Sequence, residues 1–269
     1  MEFYGLLGEK LSHSLSPQIH SEILKLIDRE GAYKLFEVKE KNLQEFTKAL
    51  KILKIKGANV TIPYKEEIIK HIDSISKEAE RIGAINTIWL KNNKLYGHNT
   101  DYYGFGYMLK ANDINVEGKR AVILGNGGAC KAVLYYLLDN GISNVYIVSR
   151  NPDKREFNLE NVKVISYDQL EDLRGDIIIN STPIGMYPNI DKTPVCEYVI
   201  KNFDVLVDLI YNPTETMFLS IGKSLGKKSI GGLYMLIGQA VKSQEIWQEK
   251  EIEEEVIKKI YEKIKLKFI

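Results

Sequence analysis

A glycine-rich turn lies between a predicted strand and a predicted helix in the second half of the chain. Residues 119–124 are mainly apolar, and Gly125, Gly127 and Gly128 follow, ahead of an amphipathic stretch that ends near Asn140. Glycines let the backbone approach a pyrophosphate closely, and the next helix offers free N–H groups and the positive end of its dipole. The alternative is a tight turn that requires only a positive φ. The strand, turn and helix together favour a dinucleotide-binding site.

The residues after the next predicted strand, 145–148, indicate which dinucleotide is bound. An NAD-selective site usually has a carboxylate at this point, which holds the adenosine 2′-hydroxyl, whereas this chain has Ser149 and Arg150. The Arg150 guanidinium can pair with the 2′-phosphate of NADP. Lys154 and Arg155 add positive charge, although each is equally explained as a solvated surface residue. The prediction of NADP(H) therefore depends mainly on Arg150.

Four polar clusters in the first half of the chain lie in predicted loops or at the ends of predicted strands. Such positions often face a ligand in folded proteins. The clusters are residues 12–17 (SHSLSP), 59–65 (NVTIPYK), 83–87 (GAINT) and 97–101 (GHNTD). They supply hydroxyl, amide, ammonium and carboxylate groups, which together suit a small polar molecule. No single cluster is decisive by itself.

Two serines lie where the first helix is predicted to begin. Ser16 is followed by Pro17, and this pair is typical of a capping residue before the first helical turn. A carboxylate fits a helix amino terminus that is flanked by two hydroxyl donors, as Ser14 and Ser16 would provide. The alternatives are helix capping by Ser16 and a bond from the Ser14 hydroxyl to its own backbone. For Ser16 we expect capping and ligand binding together.

The elements that must position these residues alternate between strand and helix patterns, which predicts an α/β protein of two domains. The predicted strands of the first half are 3–7, 33–38, 57–60 and 84–90, and the predicted helices are 16–29 and 41–53. Repeated strand and helix units in the second half predict a Rossmann-type, doubly wound parallel sheet. We place the substrate domain at 1–101 and the nucleotide domain at 102–269, and expect the helix from about residue 240 to pack back on the first domain.

The composition favours a small-molecule partner over nucleic acid or a membrane. The 269 residues include 37 basic and 36 acidic residues, so no strong net field attracts nucleic acid or anionic lipid. No apolar run approaches the roughly 20 residues that span a bilayer. The two cysteines and four scattered histidines form no metal-ligand pattern, and so few cysteines are typical of a reduced cytosol. We therefore expect a cytoplasmic protein without a metal.

Seven blocks along the chain together carry a resemblance to a known family. They are the four clusters named above and residues 180–186 (NSTPIGM), 208–216 (DLIYNPTET) and 232–240 (GLYMLIGQA). Their order and content resemble the signature blocks of shikimate dehydrogenases over nearly the whole chain. The resemblance implies an NADP-dependent oxidoreductase acting on a CH–OH group. Its reaction would be the reversible reduction of 3-dehydroshikimate to shikimate, a step of chorismate and aromatic amino acid biosynthesis.

The resemblance also implies a role for individual residues. Lys65 and Asp101 would form the catalytic pair, while Ser14 and Ser16 would hold the substrate carboxylate. Other residues implied to surround the substrate are Asn59, Thr61, Asn86, Tyr211 and Gln239. The residues implied to contact the cofactor are Gly125, Asn126, Gly127, Gly128, Ala129, Ser149, Arg150, Lys154, Thr182, Met186, Gly232 and Met235, the last two beside the nicotinamide ring.

The reaction makes specific demands on Lys65 and Asp101. Hydride transfer to a ketone leaves negative charge on its oxygen, and the Lys65 ammonium is our candidate for neutralising and protonating that oxygen. In the reverse oxidation the neutral amine would accept the proton. We expect Asp101 to orient Lys65 and to bind a substrate hydroxyl.

Three other functions are compatible with parts of this pattern. A quinate or shikimate dehydrogenase that prefers NAD shares most of the substrate blocks, but Arg150 argues against it. A non-catalytic ligand sensor of the same fold has no need of both Lys65 and Asp101. A folate-handling dehydrogenase of similar architecture leaves the paired serines without a purpose. For the oligomeric state we expect a monomer or a homodimer.

Overall fold

The computed structural model describes residues 1–12, 14–152, 157 and 159–266. The chain divides into two compact units. The first unit consists of Met1–Gly104 and Ile237–Ile264, and the main body of the second is Phe105–Leu236. Each unit contains one six-stranded sheet.

The first unit is built on a mixed sheet with the strand order β2-β1-β3-β5-β6-β4. Its strands are β1 (Glu2–Gly8), β2 (Gly31–Glu37), β3 (Gly57–Val60), β4 (Ser74–Ile75), β5 (Thr87–Lys91) and β6 (Lys94–His98). The helices before its first boundary are α1 (Ser16–Leu26), α2 (Leu43–Ile52), α3 (Lys77–Ile82) and the start of α4 (Thr100–Ala111). Strand β1 pairs in parallel with β2 and β3, whereas β5 is antiparallel to β3 and β6.

A two-residue turn forms the hairpin between β5 and β6. Asn92 and Asn93 both have positive φ, 49° and 61°, which is the backbone that such a turn requires and that asparagine tolerates. The turn opposes Lys91 to Lys94 and Thr87 to His98. It thereby brings cluster 83–87 beside cluster 97–101.

Two late helices, α8 (Leu233–Gln248) and α9 (Glu254–Lys265), supply the rest of the first unit. The unit boundaries fall inside α4, inside α8 and before the last residue of α9. Trp247 of α8 is almost fully buried, and its indole N–H donates to the Ile88 carbonyl at 2.9 Å. The same ring stacks on Tyr4 with a centroid distance of 4.8 Å. These contacts attach the end of α8 to the sheet of the first unit.

The second unit has a fully parallel sheet with the order β12-β11-β10-β7-β8-β9. Its strands are β7 (Arg120–Leu124), β8 (Asn144–Val148), β9 (Val162–Ile165), β10 (Ile177–Asn180), β11 (Val205–Asp208) and β12 (Lys228–Ile230). Its helices include α5 (Gly128–Asp139), α6 (Glu197–Ile200) and α7 (Met217–Ser224).

Both faces of this parallel sheet are covered by apolar side chains. Ala121 and Ile123 of β7 pack in one cluster with Val133 of α5. The alternate residues Val122 and Leu124 pack in a second cluster. Successive side chains of a strand point to opposite faces, so the sheet is covered on both sides as in doubly wound proteins. The predicted α/β class and the doubly wound parallel sheet are confirmed.

Several predicted elements are shorter in the structure. Helix α1 ends at Leu26 instead of residue 29, because Asp28 takes a positive φ of 53° that closes the helix. The strand predicted from residue 84 begins at Thr87. Before that point the Ile85 N–H donates to the Lys65 carbonyl, so cluster 83–87 is tied to the Lys65 loop. Among the described residues, no helix is long and apolar enough to cross a membrane.

Candidate functional site

Lys65 and Asp101 form an ion pair in the first unit. Lys65 lies in the loop after β3, and Asp101 is the second residue of α4. The Lys65 Nζ atom donates to Asp101 Oδ2 at 2.5 Å, and Asn86 Nδ2 donates to Asp101 Oδ1 at 2.9 Å. The two charged side chains are 20% and 12% exposed. The carboxylate is therefore held from two sides, while the pair is partly shielded but still reached by solvent.

Asn86 connects the loop after α3 to the amino terminus of α4. Its Oδ1 accepts from the Thr100 backbone N–H at 2.6 Å and from the hydroxyls of Thr100 and Thr87 at 3.1 and 3.2 Å. The Thr100 N–H belongs to the first turn of α4, where helical N–H groups have no helical partner. Asn86 thus satisfies this donor and orients Asp101, which follows Thr100 in the chain.

Asn59 occupies the centre of the buried polar network. The Tyr33 hydroxyl donates to Asn59 Oδ1 at 2.8 Å. Asn59 Nδ2 lies 2.8 Å from Ser243 Oγ, 2.9 Å from Thr87 Oγ1 and 3.2 Å from the Asn86 carbonyl. A side-chain amide has two hydrogens, so these protein acceptors are sufficient to engage both.

The start of α1 differs from the capped start predicted for Ser16. Leu15 is the N-cap residue, with φ −83° and ψ −6°, and no side chain caps the helix. Capping by Ser16 is wrong, because Ser16 already lies inside the helix and a capping side chain acts from the residue before it. Instead Ser14 Oγ accepts from the Ser16 N–H at 3.2 Å, which is the local bond considered for Ser14. The Ser16 hydroxyl bonds to the Tyr33 hydroxyl.

Side-chain hydrogen bonds therefore connect Ser16 to Lys65 without a break. The path runs through Tyr33, Asn59, Thr87, Asn86 and Asp101. Some of these residues were not predicted as site residues from the sequence. Thr87 belongs to cluster 83–87 and Thr100 to cluster 97–101, so the sequence already pointed to the segments that contain them. Tyr33 on β2 and Ser243 on α8 belong to none of the blocks. The one local signal for Ser243 is its spacing of one helical turn from Gln239, whose carbonyl accepts from the Ser243 hydroxyl at 2.9 Å.

His20 packs against Tyr33, one of the residues of this network. It is fully buried, its ring lies parallel to that of Tyr33 at a centroid distance of 4.2 Å, and its Nδ1 is 3.0 Å from Gln244 Nε2. Burial lowers the pKa of His20 to about 3, and a hydrogen bond with Asn59 partly opposes this shift. The imidazole is therefore neutral at physiological pH, and it holds the Tyr33 ring in place.

Three of the predicted substrate residues, Gln239, Thr61 and Tyr211, have fewer contacts with this network. The Thr100 hydroxyl lies 3.5 Å from Gln239 Oε1, which brings Gln239 to the edge of the network. Thr61 follows β3 directly and is half-buried. Tyr211 belongs to the second unit, where burial raises its pKa. The structure thus joins Ser16, Asn59, Lys65, Asn86, Asp101 and Gln239 by hydrogen bonds within one unit.

The glycine turn after β7 has unoccupied space beside Gly127 and Gly128 but not beside Gly125. Gly125 has a φ of 97°, and a Cβ there would lie 2.8 Å from Thr182 Cγ2, so the turn itself requires glycine. A Cβ on Gly127 or Gly128 would meet no atom within 4 Å, and neither residue has a positive φ. The tight-turn alternative explains Gly125 but not the other two. Their missing side chains leave space at the amino terminus of α5, where no side chain caps the helix at Gly127.

Arg150 lies just beyond the end of β8 and is exposed. Its charge acts on Tyr167, where it partly opposes the rise in pKa caused by burial. Ser149 is tied to β9 through its N–H, which donates to the Ile165 carbonyl at 2.9 Å, and its Oγ accepts from the Asn151 N–H at 3.2 Å. The predicted contact residue Lys154, like Arg155, lies outside the described residues.

The other predicted cofactor residues divide into accessible and packed positions. Asn126, Ala129 and Thr182 are half-buried around the glycine turn, and Met186 is 45% exposed. Gly232 has a packing reason of its own, because a Cβ there would lie 2.1 Å from the Leu209 carbonyl oxygen. Met235 belongs to the hydrophobic core of the second unit. The cofactor roles of these residues stay predictions.

Known proteins are similar to this chain in sequence and in fold. A family model described as the shikimate dehydrogenase substrate binding domain matches residues 6–88. The NADP⁺-dependent shikimate dehydrogenase of Clostridium beijerinckii is 54% identical over 266 residues, which cover 97% of each chain. The crystal structure of shikimate dehydrogenase 1 from Peptoclostridium difficile has a TM-score of 0.94 and 52% identity, and covers 100% of both chains.

A relative of lower sequence identity has nearly the same fold. The shikimate 5-dehydrogenase of Thermus thermophilus, in complex with NADP(H) and shikimate, has a TM-score of 0.88 and 30% identity, and covers 98% of this chain and 99% of its own. Similarity at this level, over almost the full length of each protein, is not restricted to one block or one unit. The chain belongs to the shikimate dehydrogenase family.

Proposed function

We propose that the protein catalyses the reversible NADPH-dependent reduction of 3-dehydroshikimate to shikimate, as an oxidoreductase acting on a CH–OH group. This reaction is a step of chorismate and aromatic amino acid biosynthesis. Full-length relatives that are named NADP⁺-dependent shikimate dehydrogenases support the assignment. The observation in the structure that carries it is the partly shielded Lys65–Asp101 pair, which Asn86 holds at the start of α4.

The substrate side of this proposal uses the network of the first unit. Ser14 and Ser16 hold the substrate carboxylate, with the Ser14 hydroxyl hydrogen as the first donor. Asp101 binds a ring hydroxyl through the lone pairs that Lys65 and Asn86 leave available. The remaining contacts to the ring and hydroxyls come from Asn59, Thr61, Asn86, Tyr211 and Gln239.

The residues of the second unit fit an NADP molecule. The open backbone at Gly127 and Gly128 and the uncapped start of α5 suit a pyrophosphate, because unpaired N–H groups and the helix dipole favour an anion there. The exposed guanidinium of Arg150 suits the 2′-phosphate. Asn126, Ala129, Ser149, Lys154, Thr182 and Met186 complete the site, with Gly232 and Met235 at the nicotinamide. When bound, NADP(H) supplies the hydride donor or acceptor.

Lys65 moves the proton that accompanies the hydride. In the reduction its Nζ ammonium donates a hydrogen bond to the ketone oxygen and transfers a proton as negative charge develops there. In the oxidation the neutral amine accepts the proton of the hydroxyl. Asp101 keeps Nζ in one position through the 2.5 Å bond, and Asn86 prevents the carboxylate from rotating away.

The experiment that tests the function compares two substrates with two cofactors. Purified protein is assayed with shikimate and with quinate, each with NADP⁺ and with NAD⁺, by following nicotinamide absorbance. The proposal expects the highest kcat/KM for shikimate with NADP⁺. Higher kcat/KM values with NAD⁺ would establish the NAD-preferring quinate or shikimate dehydrogenase instead, and the highest value for quinate with NADP⁺ would contradict the proposed substrate. Ligand binding without turnover in all four combinations would establish a non-catalytic sensor.

We further infer a cytoplasmic enzyme that acts as a monomer or a homodimer on small molecules alone. Neither Cys130, which is buried, nor Cys196, which is exposed, forms a disulfide, and this suits a reducing compartment. The nearly balanced charge suits small, diffusible ligands better than nucleic acid. Sedimentation velocity over a range of protein concentrations tests the oligomeric state, and a species larger than a dimer would contradict it.

A further inference from the structure

A buried carboxylate lies at the end of β11 in the second unit. Asp208 is fully buried, and its three hydrogen-bond donors are neutral groups. Asn180 Nδ2 and the Ile210 N–H donate to Oδ1 at 3.1 and 3.0 Å, and the Thr216 hydroxyl donates to Oδ2 at 2.7 Å. Removing a charge from water without an opposite charge is expensive, so its presence here requires a reason beyond packing.

The first branch from Asp208 fixes the loop after β10. Asn180, which donates to Asp208, also donates to the Ile184 carbonyl at 3.2 Å. Its Oδ1 accepts from the Thr182 N–H at 3.0 Å and from the Thr182 hydroxyl at 2.7 Å. The conformation of residues 181–186, which include the cofactor candidates Thr182 and Met186, therefore depends on the orientation of the Asn180 amide. Asp208 sets that orientation by accepting from Nδ2.

The second branch fixes the loop after β11. The Ile210 N–H bond holds the backbone immediately before Tyr211, and the Thr216 bond holds the far end of the same loop. Thr216 is also the N-cap of α7, where its Oγ1 accepts from the Leu219 N–H. A backbone bond of 3.1 Å from the Tyr187 N–H to the Asn212 carbonyl connects the two loops directly. One carboxylate thus controls residues 181–186 and 209–216 together.

A carboxylate performs this task better than a neutral side chain. It offers two oxygens with about four acceptor sites, whereas an amide of the same shape offers one oxygen and two hydrogens. Asparagine at position 208 would keep an acceptor for Asn180 and Ile210 but would turn an N–H toward the Thr216 hydroxyl. The hydrogen of the Thr216 hydroxyl, which Asp208 Oδ2 accepts, would then lose its acceptor, while the oxygen of that hydroxyl still accepts from the Leu219 N–H as the helix cap.

We propose that Asp208 is a positioning residue for the dehydrogenase reaction, which sets the two loops that carry Thr182, Met186 and Tyr211 and thereby the affinity for both ligands. This inference rests on the proposed function. Asp208 itself is fully buried, so it acts through these two loops. Burial raises its pKa to about 6, so the carboxylate is mainly ionised at pH 7.5, where the charged acceptor is needed.

The test measures ligand affinities separately from stability. In Asp208→Asn we expect KM for NADP⁺ and for shikimate each to rise about tenfold, the effect of losing one hydrogen bond to a charged group. Asn180→Ala cuts the first branch and should raise KM for NADP⁺ with little change for shikimate. Thr216→Val cuts the second branch and should raise mainly KM for shikimate, whereas Thr216→Ser keeps the hydroxyl and should retain wild-type values. The two branch variants keep the carboxylate in place.

A purely structural role gives a different result. If Asp208→Asn and both branch variants lower the melting temperature while KM for both ligands stays at the wild-type value, the inference is wrong. The Kd for NADP⁺, measured by calorimetry on the same proteins, should rise in Asp208→Asn and Asn180→Ala whether or not shikimate is the substrate. Unchanged Kd values would overturn the inference. Absence of wild-type turnover with shikimate would overturn only the proposed function.

Discussion

Lys65 Nζ lies 2.5 Å from Asp101 Oδ2, although 36 positions of sequence separate the two residues. The other carboxylate oxygen accepts from Asn86, so the position of the ammonium depends on an amide and a carboxylate that are themselves held at the start of α4. Prepositioning of this kind is what proton transfer requires, because a small displacement of the donor reduces the rate strongly.

Replacing Lys65 by methionine should lower kcat by roughly 10² to 10⁴ while both ligands still bind, because a positioned acid or base contributes about that factor. Steady-state kinetics and calorimetric binding measure the two effects. Lys70→Met is the matched control, since Lys70 is an exposed lysine that pairs with Glu67. Near-normal turnover in Lys65→Met would make Lys65 only a binding or surface residue.

Replacing Ser14 by alanine should raise KM for shikimate by roughly 10- to 100-fold and change KM for NADP⁺ much less, because a bond to a charged carboxylate contributes about 1.5–3 kcal/mol. A substrate analogue without the carboxylate is the control, and it should bind wild type and Ser14→Ala almost equally. Equal weakening of the acid and the analogue would show that the loop only shapes the pocket.

The stability effects of the two serines follow from the observed bonds and not from helix capping. Ser16→Ala removes the hydroxyl that bonds to Tyr33, so we expect a loss of about 0.5–1.5 kcal/mol in the free energy of unfolding. Ser14→Ala should lose a similar or smaller amount through its bond to the Ser16 N–H. Urea denaturation measures both. A loss confined to Ser16→Ala, together with reduced helix content, would restore the capping role.

Replacing Arg150 by alanine should weaken NADPH binding by about one to two powers of ten and scarcely affect NADH, because only NADPH carries the 2′-phosphate. Dissociation constants for both cofactors measure the change in preference. Arg174→Ala is the control, since this exposed arginine lies before β10, at the opposite end of the parallel strands. Equal losses for NADPH and NADH would show that Arg150 does not recognise the phosphate.

The burial of Asp208 should make stability depend on pH between about 4 and 6. Its folded pKa is raised from 3.8 to about 6, so the folded state binds the proton more tightly than the unfolded state. The contribution of this carboxyl group to stability therefore falls as pH rises through this window, by on the order of 3 kcal/mol, and does not change with pH below it. Burial lowers the pKa of His20 from 6.5 to about 3, so His20 makes the stability of both proteins rise with pH in the same range. Urea denaturation at several pH values therefore isolates Asp208 as the difference in stability between wild type and Asp208→Asn, and this difference should fall from about pH 4 to 6.

The control for this pH dependence is Asp204→Asn, because Asp204 is a highly exposed aspartate near Lys227. It should reproduce the wild-type pH dependence. If the stability curves of wild type and Asp208→Asn run parallel from pH 4 to 7, Asp208 has an ordinary pKa and its burial carries no measurable penalty.

Local sequence patterns were sufficient for features that depend on neighbouring residues. The alternation of β7, the glycine turn and α5 was predicted because strand, turn and helix preferences act over a few residues. Arg150 was selected by its place after β8. The turn at Asn92 and Asn93 also has a local signal, but the hairpin it forms was not predicted.

Features that depend on distant residues were decided only by tertiary structure. Ser16 carries a capping side chain in sequence, but the helix begins one residue too early for it to act, and its hydroxyl bonds instead to Tyr33 from another element. Tyr33 and Ser243 meet at Asn59 across 26 and 184 positions of sequence. No local pattern signals such contacts, because a buried polar group takes whichever partner the packing of strands and helices brings within hydrogen-bond distance. The sequence by itself thus determined the family, the elements and most of the candidate groups, whereas the packing of the first unit decided which of those groups bond to one another.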